Sequence, residues 1–96
     1  MSSEPTKPWT FVTNHTQVLL CLARNPDVRL RDVAQTVGIT ERAAQRILSD
    51  LIESGHVSRT RVGRRNHYKV NREAAMRHAA QEGQDVGGLL DLLRED

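Results

Sequence analysis

Six polar side chains fall on one side of a stretch in which apolar residues recur every three or four positions. The apolar residues are Ala44, Ile47, Leu48, Leu51 and Ile52. This spacing predicts an amphipathic helix over residues 40–54. The polar residues opposite the apolar stripe are Thr40, Glu41, Arg42, Gln45, Arg46 and Ser49. Arginine has a forked donor and glutamine a paired donor and acceptor, and both match base edges in the major groove. We therefore expect this helix face to read a base sequence, and the alternative is the solvated face of a helix in an ordinary helical bundle.

A group of basic side chains follows directly, in a segment whose β-branched and alternating residues predict a hairpin. We expect strands at 56–62 and 67–70, joined by a turn at 63–66. The candidate wing residues on this hairpin are Arg59, Arg61, Arg64, Arg65, Asn66 and Lys69. Cations seated on phosphates release condensed counterions, which favours binding at low salt. The alternatives are a basic hairpin that is merely solvated, or one that contacts an acidic protein.

The charge of the chain is divided along its length. The formal net charge of the 96 residues is only +2. Residues 56–72 nevertheless contain six basic residues and no acidic residue, whereas residues 73–96 contain six acidic residues and two basic ones. A chain polarised in this way has a positive end suited to a polyanion.

The elements before the polar helix face are predicted to position it. Residues 15–24 form an apolar helix capped by Thr13 or Asn14, and residues 28–30 form a short strand beside the hairpin. A second helix starts at Leu30 and ends at Gly38, where a left-handed residue is needed. Thr40 then caps the next helix. A glycine-containing turn between two short helices is similar to a helix-turn-helix motif.

The segments after the hairpin are predicted to be helical. Asn71 caps a helix over residues 72–81, glycines interrupt it, and a short apolar helix follows over residues 86–94. We expect a flexible tail at 1–8, one domain at 9–82, and a dimerisation or core-docking segment at 83–96. The candidate dimerisation residues are Trp9, Phe11, Leu89, Leu90 and Leu93. The alternative is a leucine helix folded onto its own core.

Residues 30–70 resemble the winged helix-turn-helix of compact bacterial regulators of the MarR type, through the segments ITERAAQRILSDLIESGHV and RTRVGRRNHYKV. The resemblance implies a mainly α fold with a three-helix core, a two- to three-stranded antiparallel wing and C-terminal helices. It also implies a regulator of transcription that binds double-stranded DNA, with residues 40–54 in the major groove and the wing, residues 56–70, on the backbone or minor groove. The chain is shorter than typical members and lacks their long terminal helices, which build the dimer and a ligand pocket. We therefore expect a homodimer with a smaller or different interface, and the sequence leaves a small-molecule effector open.

Other functions find little support in the residue types. We expect no enzyme, because no nucleophile elbow, phosphate-binding glycine loop or carboxylate pair in a cleft is evident. No cofactor or metal is expected, since the four histidines lack ligand spacing and Cys21 is the only cysteine. A lone cysteine and the lack of a membrane-spanning run or secretory pattern lead us to expect the bacterial cytoplasm. The alternative function is a winged-helix module that binds an acidic protein partner, and RNA binding is a third hypothesis.

Overall fold

The computed structural model describes residues 11–76 and 81–93, which contain four helices and one antiparallel hairpin. The elements in chain order are α1 (Asn14–Arg24), α2 (Leu30–Val37), α3 (Glu41–Glu53), β1 (Val57–Val62), β2 (Arg65–Val70) and α4 (Val86–Leu93). This arrangement confirms the predicted mainly α, winged helix-turn-helix architecture. Within the described residues, no helix is long and apolar enough to cross a bilayer.

The first helix, α1, lies at the centre of the core because its apolar residues cover most of its surface. Thr13 caps it, with its hydroxyl oxygen accepting a hydrogen bond from the Thr16 amide at 3.3 Å. Val18 is fully buried and Leu22 is 1% exposed. The same core contains residues from all the other elements, chiefly Val33, Ile47, Leu48, Leu51, Val57, Tyr68, Val86 and Leu90.

The turn between α2 and α3 is made by Gly38, as predicted. Its φ is 86°, a left-handed conformation that glycine adopts at little cost. The amides of Gly38 and Ile39 both donate to the Ala34 carbonyl oxygen, at 2.8 and 3.0 Å. These bonds satisfy the end of α2 and redirect the chain. Ala34 is buried at this junction, so the small side chain allows close packing at the start of the turn.

The hairpin differs from the sequence prediction in the length of its turn. Val62 pairs with Arg65, so the loop contains only Gly63 and Arg64, and Arg65 and Asn66 belong to β2. Gly63 has a φ of 63°, and no non-glycine residue in the described chain has a positive φ. A two-residue loop with positive φ only at its first position is a type II′ turn, which matches the right-handed twist of paired strands.

The predicted strand at 28–30 is wrong. These residues do not pair in the sheet, which has two strands in the described part of the chain, and Leu30 already belongs to α2. The residues just before them form a tight turn in which the Val28 amide donates to the Asn25 carbonyl oxygen at 3.0 Å. Proline at the second position and asparagine at the first favour such a turn.

The predicted helix at 72–81 is also wrong where it can be compared, over residues 72–76. The Arg72 and Ala74 carbonyl oxygens accept hydrogen bonds from the amides of Gly87 and Val86, at 2.7 and 2.9 Å. The Met76 amide donates to the Gln84 carbonyl oxygen at 3.2 Å. Because these backbone groups bond to the later segment, they are not available for helical bonds. Residues 77–80 of the predicted helix lie outside the described residues.

The last helix, α4, packs on the domain. Val86 and Leu90 are 3% and 5% exposed and belong to the core. A Cβ at Gly87 would lie 3.0 Å from the Arg72 carbonyl oxygen, so the absence of a side chain allows this close approach. The Arg72 guanidinium also donates to the Asp91 carboxylate at 2.8 Å. The hydrogen bonds and packing thus join α4 to the segment that leaves the wing.

Candidate nucleic-acid interface

The outward face of α3 carries the side chains predicted to read bases. The buried residues of this helix are Ala44, Ile47, Leu48 and Leu51. Those on its exposed side include Thr40, Glu41, Arg42, Gln45, Arg46 and Ser49. The Thr40 hydroxyl oxygen is occupied as the helix cap, accepting from the Ala43 amide at 3.0 Å.

The three side chains best suited to bind bases or phosphates have their polar groups available, as do Glu41 and Ser49. Arg42, Gln45 and Arg46 are exposed and make no side-chain hydrogen bond or ion pair with another described residue. An arginine locked to a neighbouring carboxylate would have to lose that bond before it could bind a base or a phosphate. The three side chains therefore meet the first requirement for direct contact with a ligand.

The wing places its basic residues on two faces. Directly paired residues of antiparallel strands point to the same side of a sheet. Arg59 pairs with Tyr68, and Arg61 pairs with Asn66. Because Tyr68 is buried, Arg59 lies on the side of the sheet that faces the helices. Lys69 pairs with Ser58 and lies on the opposite side.

The structure brings part of the wing and part of α3 to one groove. This groove has a volume of about 370 Å³, and Gln45 lines it from α3. The residues that line it from the wing include Arg59, Arg64, Arg65 and Asn66. Lys69 lines a separate groove with Ser58 and Asn71. Five of the six predicted wing residues thus line one or both of these grooves, with Arg59 reaching both, whereas Arg61 lines neither.

Two wing arginines are partly held by the protein itself. The Arg61 guanidinium donates to the Gly63 carbonyl oxygen at 3.3 Å, within the hairpin. The Arg65 guanidinium donates to the Asp27 carbonyl oxygen at 2.6 Å. Arg59 and Arg64 make no such bond to a described residue. Lys69 makes no such bond either, so these three are the wing cations best able to take up a new anionic partner.

Sequence reasoning missed a residue that lines the groove. Arg29 is exposed, lies immediately before α2 and contributes to the same groove as Gln45 and Arg64. Its charge was visible in the sequence, but the segment was interpreted as a strand. The signal that could have placed it correctly is the Asn25-Pro26 pair, which predicts a turn before the helix.

The three histidines in the described part of the chain, His15, His56 and His67, serve separate structural contacts. His15 bonds to Asp50 at 2.9 Å, and His67 bonds to Asp27 at 2.8 Å. His56 is 8% exposed, with its ring nitrogens 2.6 Å from the Ser54 hydroxyl oxygen and 2.9 Å from the Ala75 carbonyl oxygen. Among residues 11–76 and 81–93, no group of three or more potential metal ligands is present.

The single cysteine lies in a protected environment. Cys21 is partly buried on α1 and packs against the core. Burial raises the pKa of the Cys21 thiol, and the nearby Arg24 guanidinium lowers it by a smaller amount. A raised pKa reduces the thiolate fraction and therefore the reactivity toward electrophiles.

The candidate dimerisation residues differ in exposure. Phe11 is 93% exposed, whereas Leu90 is 5% exposed and belongs to the core of the protomer. Leu89 and Leu93 are half-buried, and Leu93 packs against that core. Leu92, beside them on α4, is 80% exposed. Trp9 lies outside the described residues.

The helix-turn-helix with its basic hairpin defines a winged-helix protein, and comparisons with known proteins assign the family. The MarR family model matches residues 11–65. The chain therefore belongs to the MarR family, which confirms the resemblance noted in the sequence.

A solved structure shows the same fold. The PcaV transcriptional regulator from Streptomyces coelicolor, solved in complex with its natural ligand, matches with a TM-score of 0.54 and 24% sequence identity. The match covers 62% of this chain and 45% of that chain. This chain thus corresponds to less than half the length of that regulator. A search of curated proteins returned no match.

Proposed function

We propose that this protein is a sequence-specific transcriptional regulator that binds double-stranded DNA in the bacterial cytoplasm. Membership in the MarR family supports the role in transcription. The observation that carries the DNA-binding proposal is the groove shared by Gln45 of α3 and the basic wing residues Arg59 and Arg64. A base-reading side chain beside cations that bind phosphate combines specificity with affinity.

Each element has a separate part in the proposed complex. Helix α3 enters the major groove and contacts base edges through Arg42, Gln45 and Arg46. The wing lies along the phosphate backbone, and Arg64 at the type II′ turn reaches the backbone or an adjacent minor groove. A narrow minor groove has an enhanced negative potential that attracts arginine. Arg29, immediately before α2, adds a cation beside the same groove.

We further propose that the protein binds as a homodimer. Leu92 on α4, which is 80% exposed, supplies the apolar side chain on which this part of the proposal depends. A two-fold dimer would place two α3 helices about one turn of DNA apart, on the order of 34 Å. Sedimentation equilibrium of the wild type and of Leu92→Ser tests it. A wild type that remains monomeric at micromolar concentration contradicts the dimer.

The central experiment is a mobility shift with random duplex DNA at low and moderate salt. We expect binding at low salt that weakens steeply as salt increases, because counterion release contributes most of non-specific affinity. An acidic polypeptide such as poly-glutamate, at the same charge concentration, is the control. Retention of poly-glutamate without retention of duplex DNA would instead favour the protein-interaction function.

A further inference from the structure

The turn that joins α1 to α2 is built to a fixed shape. The Val28 amide donates to the Asn25 carbonyl oxygen at 3.0 Å, and the Asp27 amide donates to the Asn25 side-chain oxygen at 3.2 Å. Proline fixes φ at the second position of such a turn, and asparagine commonly bonds back to the chain two residues on. Both features reduce the conformations that this turn can adopt.

The turn is bonded to β2 by three hydrogen bonds. The Tyr68 amide donates to the Pro26 carbonyl oxygen at 2.8 Å, and the Arg65 guanidinium donates to the Asp27 carbonyl oxygen at 2.6 Å. The His67 Nδ1 lies 2.8 Å from the Asp27 Oδ1. Because an ionised carboxylate only accepts, Nδ1 carries the proton in this bond. The turn therefore bonds to β2 at Arg65, His67 and Tyr68, and its Pro26 carbonyl oxygen covers the outer edge of the strand at Tyr68.

The wing needs such an attachment. A hairpin of two strands is at best marginally stable alone in water. Beyond Val57 and Tyr68, which are buried, most wing residues are exposed and have few neighbours to fix their direction. The bonds to the turn extend from Tyr68 in this buried base to Arg65, next to the tip at Arg64. They are therefore well placed to fix the tip relative to α3.

We propose that Asp27 is a positioning residue, which holds His67 and thereby fixes the wing at the angle needed for α3 and Arg64 to contact DNA together. This inference depends on the proposed DNA-binding function. Asp27 touches no reading residue of α3 in this arrangement and acts through β2. Its carboxylate has the opposite charge to the surrounding arginines, so its presence beside a surface for a polyanion calls for a structural reason.

The rival explanation is electrostatic. A carboxylate near bound DNA repels phosphate, so its removal alone strengthens binding at low salt. Asp27→Asn removes the charge but keeps an oxygen that accepts from His67. Asp27→Ala removes both the charge and the acceptor. Since the two variants have equal net charge, the difference between them isolates the hydrogen bond to His67.

The first test measures duplex DNA binding of both variants across salt concentrations. We expect Asp27→Ala to bind about 2- to 10-fold more weakly than Asp27→Asn, the range for loss of one hydrogen bond. We also expect the Asn and Ala variants to bind equally once His67 is replaced by alanine in both, because the oxygen kept in Asp27→Asn then has no donor to accept from. Equal affinities of the Asn and Ala variants overturn the proposal.

The second test needs no DNA and follows hydrogen exchange of the Tyr68 amide, which bonds to the Pro26 carbonyl oxygen. We expect its protection to fall in Asp27→Ala and to be retained in Asp27→Asn, with protection of the Leu48 amide in α3 equal in the two variants. Equal Tyr68 protection overturns the positioning role. If the wild type fails to bind DNA, the proposed function is wrong, while this measurement still decides whether Asp27 holds the wing.

Discussion

Neutralising the two wing arginines that lack a bonded partner gives a direct measure of phosphate contact. Arg59 and Arg64 are exposed, line the groove beside α3 and make no hydrogen bond or ion pair with a described residue. Their replacement by alanine therefore breaks no such internal contact. Arg65 is unsuitable for this purpose because its guanidinium holds the Asp27 carbonyl oxygen.

The size of the effect follows from the number of contacts. Each phosphate contact contributes about 0.9 to the slope of log affinity against log salt concentration. If Arg59 and Arg64 each bind one phosphate, the slope becomes shallower by about 1.8 for one bound protomer. A two-fold dimer doubles the change to about 3.6. With one phosphate for each arginine, the measured change therefore distinguishes one bound protomer from two.

The assay is fluorescence anisotropy of a labelled duplex between about 50 and 200 mM salt. We expect the double variant to bind every duplex more weakly while its order of preference among sequences stays unchanged. Arg24→Ala is the control, because Arg24 lies in a different groove with Ala23 and Leu90. An unchanged slope in the double variant, or an equal change in the control, would refute the assigned wing contacts.

Four other predictions concern single residues. Gln45→Ala should change sequence preference, by about 1–3 kcal/mol for a bidentate base contact, and equal losses on all duplexes in a competition assay would argue against base reading. Gly38→Ala should lower the free energy of unfolding by about 1–2 kcal/mol, because alanine is disfavoured at the left-handed φ of this position. A Cβ there would meet nothing within 4 Å, so no clash adds to this cost, and an unchanged urea midpoint would contradict the prediction. His56→Ala should cost about 1–3 kcal/mol in the same measurement by leaving the Ala75 carbonyl oxygen without its partner, and a stability equal to the wild type would show that solvent replaces it. Cys21 should react with iodoacetamide more slowly than an exposed cysteine thiol, because burial raises its pKa and lowers the thiolate fraction. The reaction rate should therefore increase at a higher pH than it does for an exposed thiol, and equal rates in the folded and urea-unfolded protein would disprove the protection.

The parts of the fold that were predictable depend on local signals. Gly38 and Thr40 mark the end of α2 and the start of α3, and both act through their own backbone or side chain. The apolar spacing of α3 likewise fixes which of its faces is buried. Since such signals need only neighbouring residues, the exposed face of α3 could be read from the sequence.

The errors arose where distant backbone groups bond to each other. The helix predicted at 72–76 is absent because the amides of Val86 and Gly87 occupy the Ala74 and Arg72 carbonyl oxygens. Nothing in the local pattern of those alanines indicates that pairing. Similarly, the pairing of Arg59 with Tyr68 and of Arg61 with Asn66 depends on a hairpin register set by the two-residue turn at Gly63. The predicted four-residue turn could not give that register.

The outer edges of the two wing strands differ. The edge of β2 is covered by the Pro26 carbonyl oxygen, whereas no described residue pairs with the outer edge of β1. An open strand edge is a template for unwanted pairing with another chain, and charged side chains are a common defence. Arg59 and Arg61 lie on β1 and place positive charge along that edge. Like charges on approaching copies oppose association, so Arg59 and Arg61 disfavour the pairing of this edge with another copy of the chain.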